Sequence, residues 1–305
     1  MLIKKARDFV NFLHDIRARL EFVQTAIGRV EARQLGGVGG DALADAEFKV
    51  FSQWGEDGII QRLVRAVPIA KPVFVEFGVQ DYTEANTRFL LVNNHWSGLV
   101  MDGDAQHIAA IRRSPLYWRH NLKAECAFID RDNINGLIRS AGIEGDIGLL
   151  SVDIDGNDYW VWQAIDCVQP RILILEYNAL FGPDAAISVP YDAAFVRSQA
   201  HYSNLFWGAS LGALTRLSKQ KGYALVGCNS AGNNAFYVRQ DVLGSQRELS
   251  VEQAFVPAQF RESRDSAGTP TFLDAAAARA LVGAMHVYDL DASSLAPLNQ
   301  CLGGD

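Results

Sequence analysis

The stretch Val73-Phe74-Val75-Glu76-Phe77-Gly78 decides the fold of this chain of 305 residues. Three apolar residues lead into a carboxylate, and a glycine follows shortly after. The same pattern of an apolar run ending on an acid recurs four times. Gly98-Leu99-Val100-Met101 runs into Asp102, and Ala127-Phe128-Ile129 into Asp130. Gly148-Leu149-Leu150-Ser151-Val152 runs into Asp153, and Ile172-Leu173-Ile174-Leu175 into Glu176. Short apolar runs of this kind are strands buried on both faces of a parallel sheet. In such sheets the ligand sits in the crevice beyond the carboxyl ends of the strands. Five carboxylates converging there suit a ligand rich in hydroxyls and positive charge, or a divalent metal.

Helical spacing fills the intervals at 52–67, 85–94, 104–113 and 133–141. Strand and helix alternating over 73–178 predict an α/β fold, a Rossmann-like doubly wound sheet that is mostly parallel. Beyond Glu176 the spacing predicts helices at 191–202, 210–220 and 275–285. Residues 222–227 and 235–239 flank a turn-rich segment, which predicts a C-terminal antiparallel hairpin on the sheet.

Residues 1–35 carry a different pattern. Leu2, Ala6, Phe9, Leu13, Ile16, Leu20, Val23, Ile27 and Val30 are alternately four and three apart, with charged residues between them. That is a heptad seam on one long helix. It predicts packing on the helix's own domain, self-association into a homo-oligomer, or docking to a biosynthetic partner. Gly36-Gly37-Val38-Gly39-Gly40 breaks the helix, so 36–47 reads as a linker. The main domain is then 48–240, and 241–305 is a C-terminal extension or lid.

The net charge of −7 argues against a nucleic-acid partner, which favours a basic face. Four scattered cysteines without CxxC spacing suggest neither zinc nor a disulfide framework, and a cytoplasmic setting is expected. No run of apolar residues is long enough for a membrane span, and the N-terminal stretch lacks signal-peptide features.

A dinucleotide fold needs G-x-G-x-x-G after its first strand. Here Gly78 stands alone before Val79, Gln80 and Asp81, so a pyrophosphate fits poorly. Four further pieces accompany Phe74-Val75-Glu76-Phe77-Gly78-Val79. They are Ser52-Gln53-Trp54-Gly55-Glu56-Asp57-Gly58, Glu84-Ala85-Asn86-Thr87-Arg88, Gly98-Leu99-Val100-Met101-Asp102-Gly103-Asp104 and Ser151-Val152-Asp153-Ile154-Asp155-Gly156-Asn157-Asp158. As a set they resemble the class I S-adenosylmethionine-dependent methyltransferases, and within them the FkbM-like branch, over residues 48–240. The resemblance implies an O-methyltransferase acting on a hydroxyl of a sugar, polysaccharide or natural product. It implies Asp102 on the cofactor's ribose and Gly78 at the close backbone approach. Glu76, Asn86 and Thr87 then belong to its amino-acid end, Asp130 to the adenine amine, and Gln53 to the cofactor site as well. The alternative is a binding or scaffold protein that keeps the fold without the activity.

Asp153 and Glu176 end neighbouring strands, and Asn178 follows closely. Magnesium takes a few carboxylates with waters and substrate oxygens, so these three are the candidate Mg2+ ligands. O-methylation also needs the acceptor proton removed, most often by histidine. His201 follows the fifth strand by a helix and is, with Asp153, the candidate catalytic residue. Gly208-Ala209-Ser210-Leu211-Gly212 fits the G-x-S-x-G pattern of a serine hydrolase, but no core strand precedes it. Ser210 reads better as a helix N-cap.

Overall fold

The strands run in chain order as β1 (Val73–Phe77), β2 (Ser97–Asp102), β3 (Leu122–Cys126), β4 (Gly145–Val152), β5 (Val168–Glu176), β6 (Ile187–Ser188), β7 (Tyr223–Cys228), β8 (Asn234–Arg239), β9 (His286–Asp289) and β10 (Ser294–Pro297). This computed structural model describes residues 2–37 and 42–303. Seven strands form one sheet in the order β3-β2-β1-β4-β5-β8-β7. The first five pair in parallel, and β8 lies antiparallel between β5 and β7. This is the Rossmann-like doubly wound sheet with its closing hairpin. The chain leaves β1 to one side for β2 and β3, then returns to β4 on the other. That reversal is the topological switch point, where such sheets open a crevice.

Alternate residues of each strand face opposite layers. Val75, Phe77, Leu99 and Met101 pack with the helices Ile134–Ser140, Asp158–Ala164 and Leu211–Gln220. Phe74, Val100, Leu149 and Ile172 pack on the other face with α2 (Glu56–Ala66), α3 (Arg88–Asn94) and α4 (Ala105–Arg113). Both faces are covered, which is why the central strands show no polar alternation.

The third strand is not where the apolar run 127–129 places it. It is Leu122–Cys126, and Ala127-Phe128-Ile129 is a loop. β3 is the sheet's edge. Lys123 and Glu125 face solvent between buried Leu122 and Ala124, so its apolar signal is halved. The helix expected at 191–202 is confined to Arg197–Ala200.

The C-terminal segment is more regular than its sequence suggests. β9 and β10 join β6 in a second, antiparallel sheet. Val282, Val287 and Leu298 pack there against Phe181, Ile187 and Phe206. Of the 36–47 linker, residues 38–41 lie outside the described set. Leu43–Ala46 forms a 3-10 turn whose Leu43 is buried against Gly227.

The segment 50–57 is tied down by two acids at the start of α2. Asp57 Oδ2 accepts the backbone N–H groups of Val50, Phe51 and Ser52 at 2.6–2.8 Å, and the Ser52 hydroxyl. Burial pushes the Asp57 carboxyl up to about 6. Glu56 Oε2 accepts Trp54 and Gly55 N–H, while Oε1 accepts the Asn229 and Asn234 side chains of the β7–β8 turn. Gln53 and Trp54 are thereby held over the carboxyl ends of the strands. Replacing Asp57 by Ala leaves three buried N–H groups without an acceptor. The expected loss is about 3 kcal/mol of unfolding free energy in urea titration; a loss under about 0.5 kcal/mol would contradict this role.

Candidate functional site

Gly78 follows β1 at φ +69, a left-handed conformation that favours glycine. A Cβ there would lie 1.8 Å from the backbone oxygen of Asp153. The loops after β1 and β4 therefore touch, and two cavities open around the contact. The larger, about 390 Å³, is lined by Glu76, Asn86, Asp153, Glu176, Gln53 and Trp54 among others. The smaller, about 200 Å³, is lined by Met101, Asp102, Phe128, Ile129, Ile154 and Phe195 among others. Gly78, Gln80, Asp153 and Asp155 line both.

Asp102 ends β2 on the smaller cavity. Its Oδ2 accepts Gln80 N–H at 2.8 Å, and Oδ1 accepts Asp104 N–H at 2.8 Å. His107 Nδ1 lies 3.1 Å from Oδ1, and that hydrogen bond raises the histidine's pKa. Gln80 holds φ +49 to make its contact, so the loop is set by the carboxylate. The half-exposed Phe128 ring adds a flat apolar wall.

Glu76 looks inward from β1. Its Oε1 accepts Asn86 N–H at 2.8 Å, and Oε2 accepts both the N–H and the hydroxyl of Thr87. It thus ties down the segment leading into α3. Burial pushes its carboxyl up to about 7. Thr87 is fully buried, its hydroxyl shared between Glu76 and Tyr82.

The register Val152↔Leu175 sets Asp153 beside Glu176. Their carboxyl groups face each other, with oxygens within 4.8 Å. Burial, and then neighbouring negative charge, hold both well above the usual carboxylate range. Glu176 Oε2 is buried without a hydrogen-bond partner. Asp155 joins them, one oxygen of each lying within 4.8 Å of the others. Arg197 closes the group from the far side. It donates to Asp155 at 2.6 Å, to Glu262 and to the backbone oxygen of Asn204, and lies over the Trp207 ring. At the mouth, Trp54 stacks on Phe260 with centroids 5.7 Å apart.

Of the residues singled out from sequence, Gln53, Glu76, Gly78, Asn86, Asp102, Asp153 and Glu176 line these cavities. Four others stand outside both, each already engaged. Thr87 serves Glu76. Asp130 accepts Asp132 and Asn133 N–H groups before the helix Ile134–Ser140. Asn178 donates to Leu205 and Trp207 backbone oxygens and caps the turn Ala179–Phe181, so its amide is spent where a metal ligand was expected, and Asp155 stands in the cluster instead. His201 bonds Ser203 at 2.7 Å, and burial lowers its pKa. Ser210 is the N-cap of Leu211–Gln220, buried, accepting Ala213 N–H and donating to the backbone oxygen of Ala185. That geometry leaves no exposed nucleophile. Gln80, Arg197 and Phe260 were not expected. Gln80 follows the single glycine; Arg197 and Phe260 come from distant segments with no local pattern to mark them. Glu262 comes from the C-terminal segment expected as an extension or lid.

No family model matches the chain, and no curated protein matches it in sequence. Among solved structures, the N-terminal domain of EvdMO1 with SAH bound is similar at 11% identity, over 69% of this chain and 94% of its own, with a TM-score of 0.41. An S-adenosylmethionine-dependent methyltransferase from Clostridium acetobutylicum is similar at 11% identity, over 60% of this chain and 89% of its own, with a TM-score of 0.39. A putative O-methyltransferase from Klebsiella pneumoniae is similar at 12% identity, over 70% and 87%, with a TM-score of 0.38. Likeness at this level assigns no chemistry to the chain.

The Asp153–Glu176 carboxyl pair has a pH signature. Acids with raised folded pKa values keep protons that the unfolded chain has lost. Their contribution is fully present at low pH and falls as pH rises through the folded values. Glu176→Gln removes one of these acids, and its amide can donate to Asp153. Urea unfolding with EDTA present, from pH 5 to 9 or so, is expected to show a shallower decline for the variant and higher stability on the alkaline side. Parallel curves for the two proteins would contradict the pairing.

Proposed function

We propose that this protein is an S-adenosylmethionine-dependent O-methyltransferase of the FkbM-like branch, working in the cytosol on a hydroxyl of a sugar, polysaccharide or natural product. The single observation behind this reading is a two-lobed cavity at the switch point, with Asp102 in one lobe and the Asp153–Glu176 pair in the other. Three features support the fit of the cofactor. Gly78 lets the loops after β1 and β4 touch, its missing Cβ leaving room for the Asp153 backbone oxygen where the two lobes meet. The Asp102 carboxylate accepts three bonds and retains acceptor capacity for a ribose hydroxyl. The larger lobe carries Glu76, Glu84, Asp153, Asp155, Glu176 and Glu262 against Arg197, a balance that favours a cationic sulfonium.

When bound, S-adenosylmethionine supplies a methyl group on a good leaving group, so catalysis is chiefly positioning and removal of the acceptor proton. The Asp153–Glu176 pair is the group placed to take that proton. Burial and mutual repulsion raise the pair's affinity for protons, the direction in which a proton acceptor gains strength. His201 lies outside both cavities. Arg197 and Glu262 fix the far wall, and Trp54 on Phe260 gives a sugar ring an aromatic edge to rest on.

The same acids fit a divalent cation. Asp153, Asp155 and Glu176 would hold Mg2+ with waters, where it would lower the pKa of an acceptor hydroxyl. The unsatisfied Glu176 oxygen favours this reading.

Calorimetry with S-adenosylhomocysteine tests the assignment, on wild type and Asp102→Ala, with and without MgCl2. Wild type is expected to bind, and the variant to lose affinity by about 10- to 100-fold, the loss of hydrogen bonds to a charged group. Equal binding by both, or none by wild type, would contradict the placement of the cofactor. Binding without turnover of any hydroxyl acceptor would point to a scaffold protein on this fold.

A further inference from the structure

The long N-terminal helix α1 (Leu2–Gln34) docks on the domain with an unexpected face. Among the described side chains its buried contacts are Thr25 and Ala32, and Gly28, where a Cβ would lie 2.3 Å from Val50 Cγ2. Glu21 adds an ion pair with Arg88 at 2.8 Å, and Gln24 bonds the Val50 oxygen. The heptad seam lies on another side. Phe9, Leu13, Ile16, Leu20, Val23, Ile27 and Val30 are 37–70% exposed as a group with Phe22, the seam itself reaching 63%. The side chains of Leu2 and Ala6, also in the seam, lie outside the described set. Packing on its own domain, one of the three expectations for this seam, does not cover it.

We propose that this seam pairs with the same seam of a second copy of the chain, in a parallel two-stranded coiled coil. Three observations choose that occupant. The first is period. A strict seven-residue repeat drifts by ~20° per heptad around a straight helix. Only a partner that winds with it keeps contact from Phe9 to Val30, and a flat membrane surface does not wind. The second is charge. In parallel register the flanking positions set Phe12 of one copy beside Arg17 of the other, Arg19 beside Gln24, and Ala26 beside Glu31, with no like-charge contact. An antiparallel pair centred on this stretch sets Arg17 against Arg17 or Arg19 against Arg19. The third is support. Every described side chain of α1 before Glu21 is exposed. A helical segment of that length without tertiary packing is marginal in water, and a second copy supplies the missing contact.

Seven apolar side chains from each copy, along roughly 33 Å of helix, give an interface on the order of 1,000 Å², the low end of specific ones. The pairing does not depend on the enzymatic reading, since the docked face and the seam are separate from both cavities. It would place two catalytic domains side by side on one stalk.

Sedimentation of the full chain over about 1 to 100 μM, where weak interfaces assemble, tests this. Wild type is expected to reach twice the monomer mass. The double variant Leu13→Glu/Leu20→Glu is expected to stay monomeric and to lose the far-UV helical signal of the segment before Glu21, while the urea unfolding midpoint of the domain stays as in wild type. Phe22→Glu, exposed but off the seam, is expected to dimerise as wild type does. A monomeric wild type across the series would overturn the proposal, as would a dimer that survives the double variant. So would a monomer that floats with anionic phospholipid vesicles, which would make the helix a membrane-surface element.

Discussion

Neighbouring parallel strands hold their carboxyl ends about 4.8 Å apart, and that spacing governs the site. β4 and β5 lead into Asp153 and Glu176, so two acids are fixed side by side, Glu176 buried and Asp153 half-buried. They cannot separate without breaking the sheet register. Charge on both at once is disfavoured, so the pair keeps a proton or attracts a cation. The larger cavity owes its character to this constraint. Arg197 answers part of the charge through Asp155, yet leaves one Glu176 oxygen without a partner.

Around that pair the fold spends its other acids on architecture. Asp57 gathers three backbone N–H groups, Glu56 reaches the β7–β8 turn, and Glu76 ties down the entry to α3. Asp158 accepts the N–H groups of Ile154 and Gly156 inside the Asp153 loop, and burial pushes it up to about 6. Such acids shape the cavity without having to touch a ligand. Asp102 does both, since it sets the Gln80 loop and still faces the smaller lobe.

The central strands and their acidic ends were legible because burial on both faces leaves an unbroken apolar run. The edge strand β3 was not, because solvent on one side replaces half its apolar residues. Asn178 lies near Glu176 in sequence, but its amide is consumed by the backbone at Leu205 and Trp207, which sequence proximity does not reveal. Arg197 and Phe260 reach the site across the fold, from stretches whose own patterns say nothing of it, whereas Glu262 belongs to the segment expected as a lid. The seam of α1 was plain as a period. Which side of the helix would dock was not, because small residues such as Gly28 permit close approach without any apolar signal.

The central claim is that the lobes on either side of Gly78 are one cofactor cleft. A crystal structure with S-adenosylhomocysteine tests it most directly. The account predicts the ribose hydroxyls on Asp102, the purine beside Phe128, and the sulfur in the larger lobe facing Asp153. Ligand density elsewhere on the molecule, with both lobes holding only water, would contradict it.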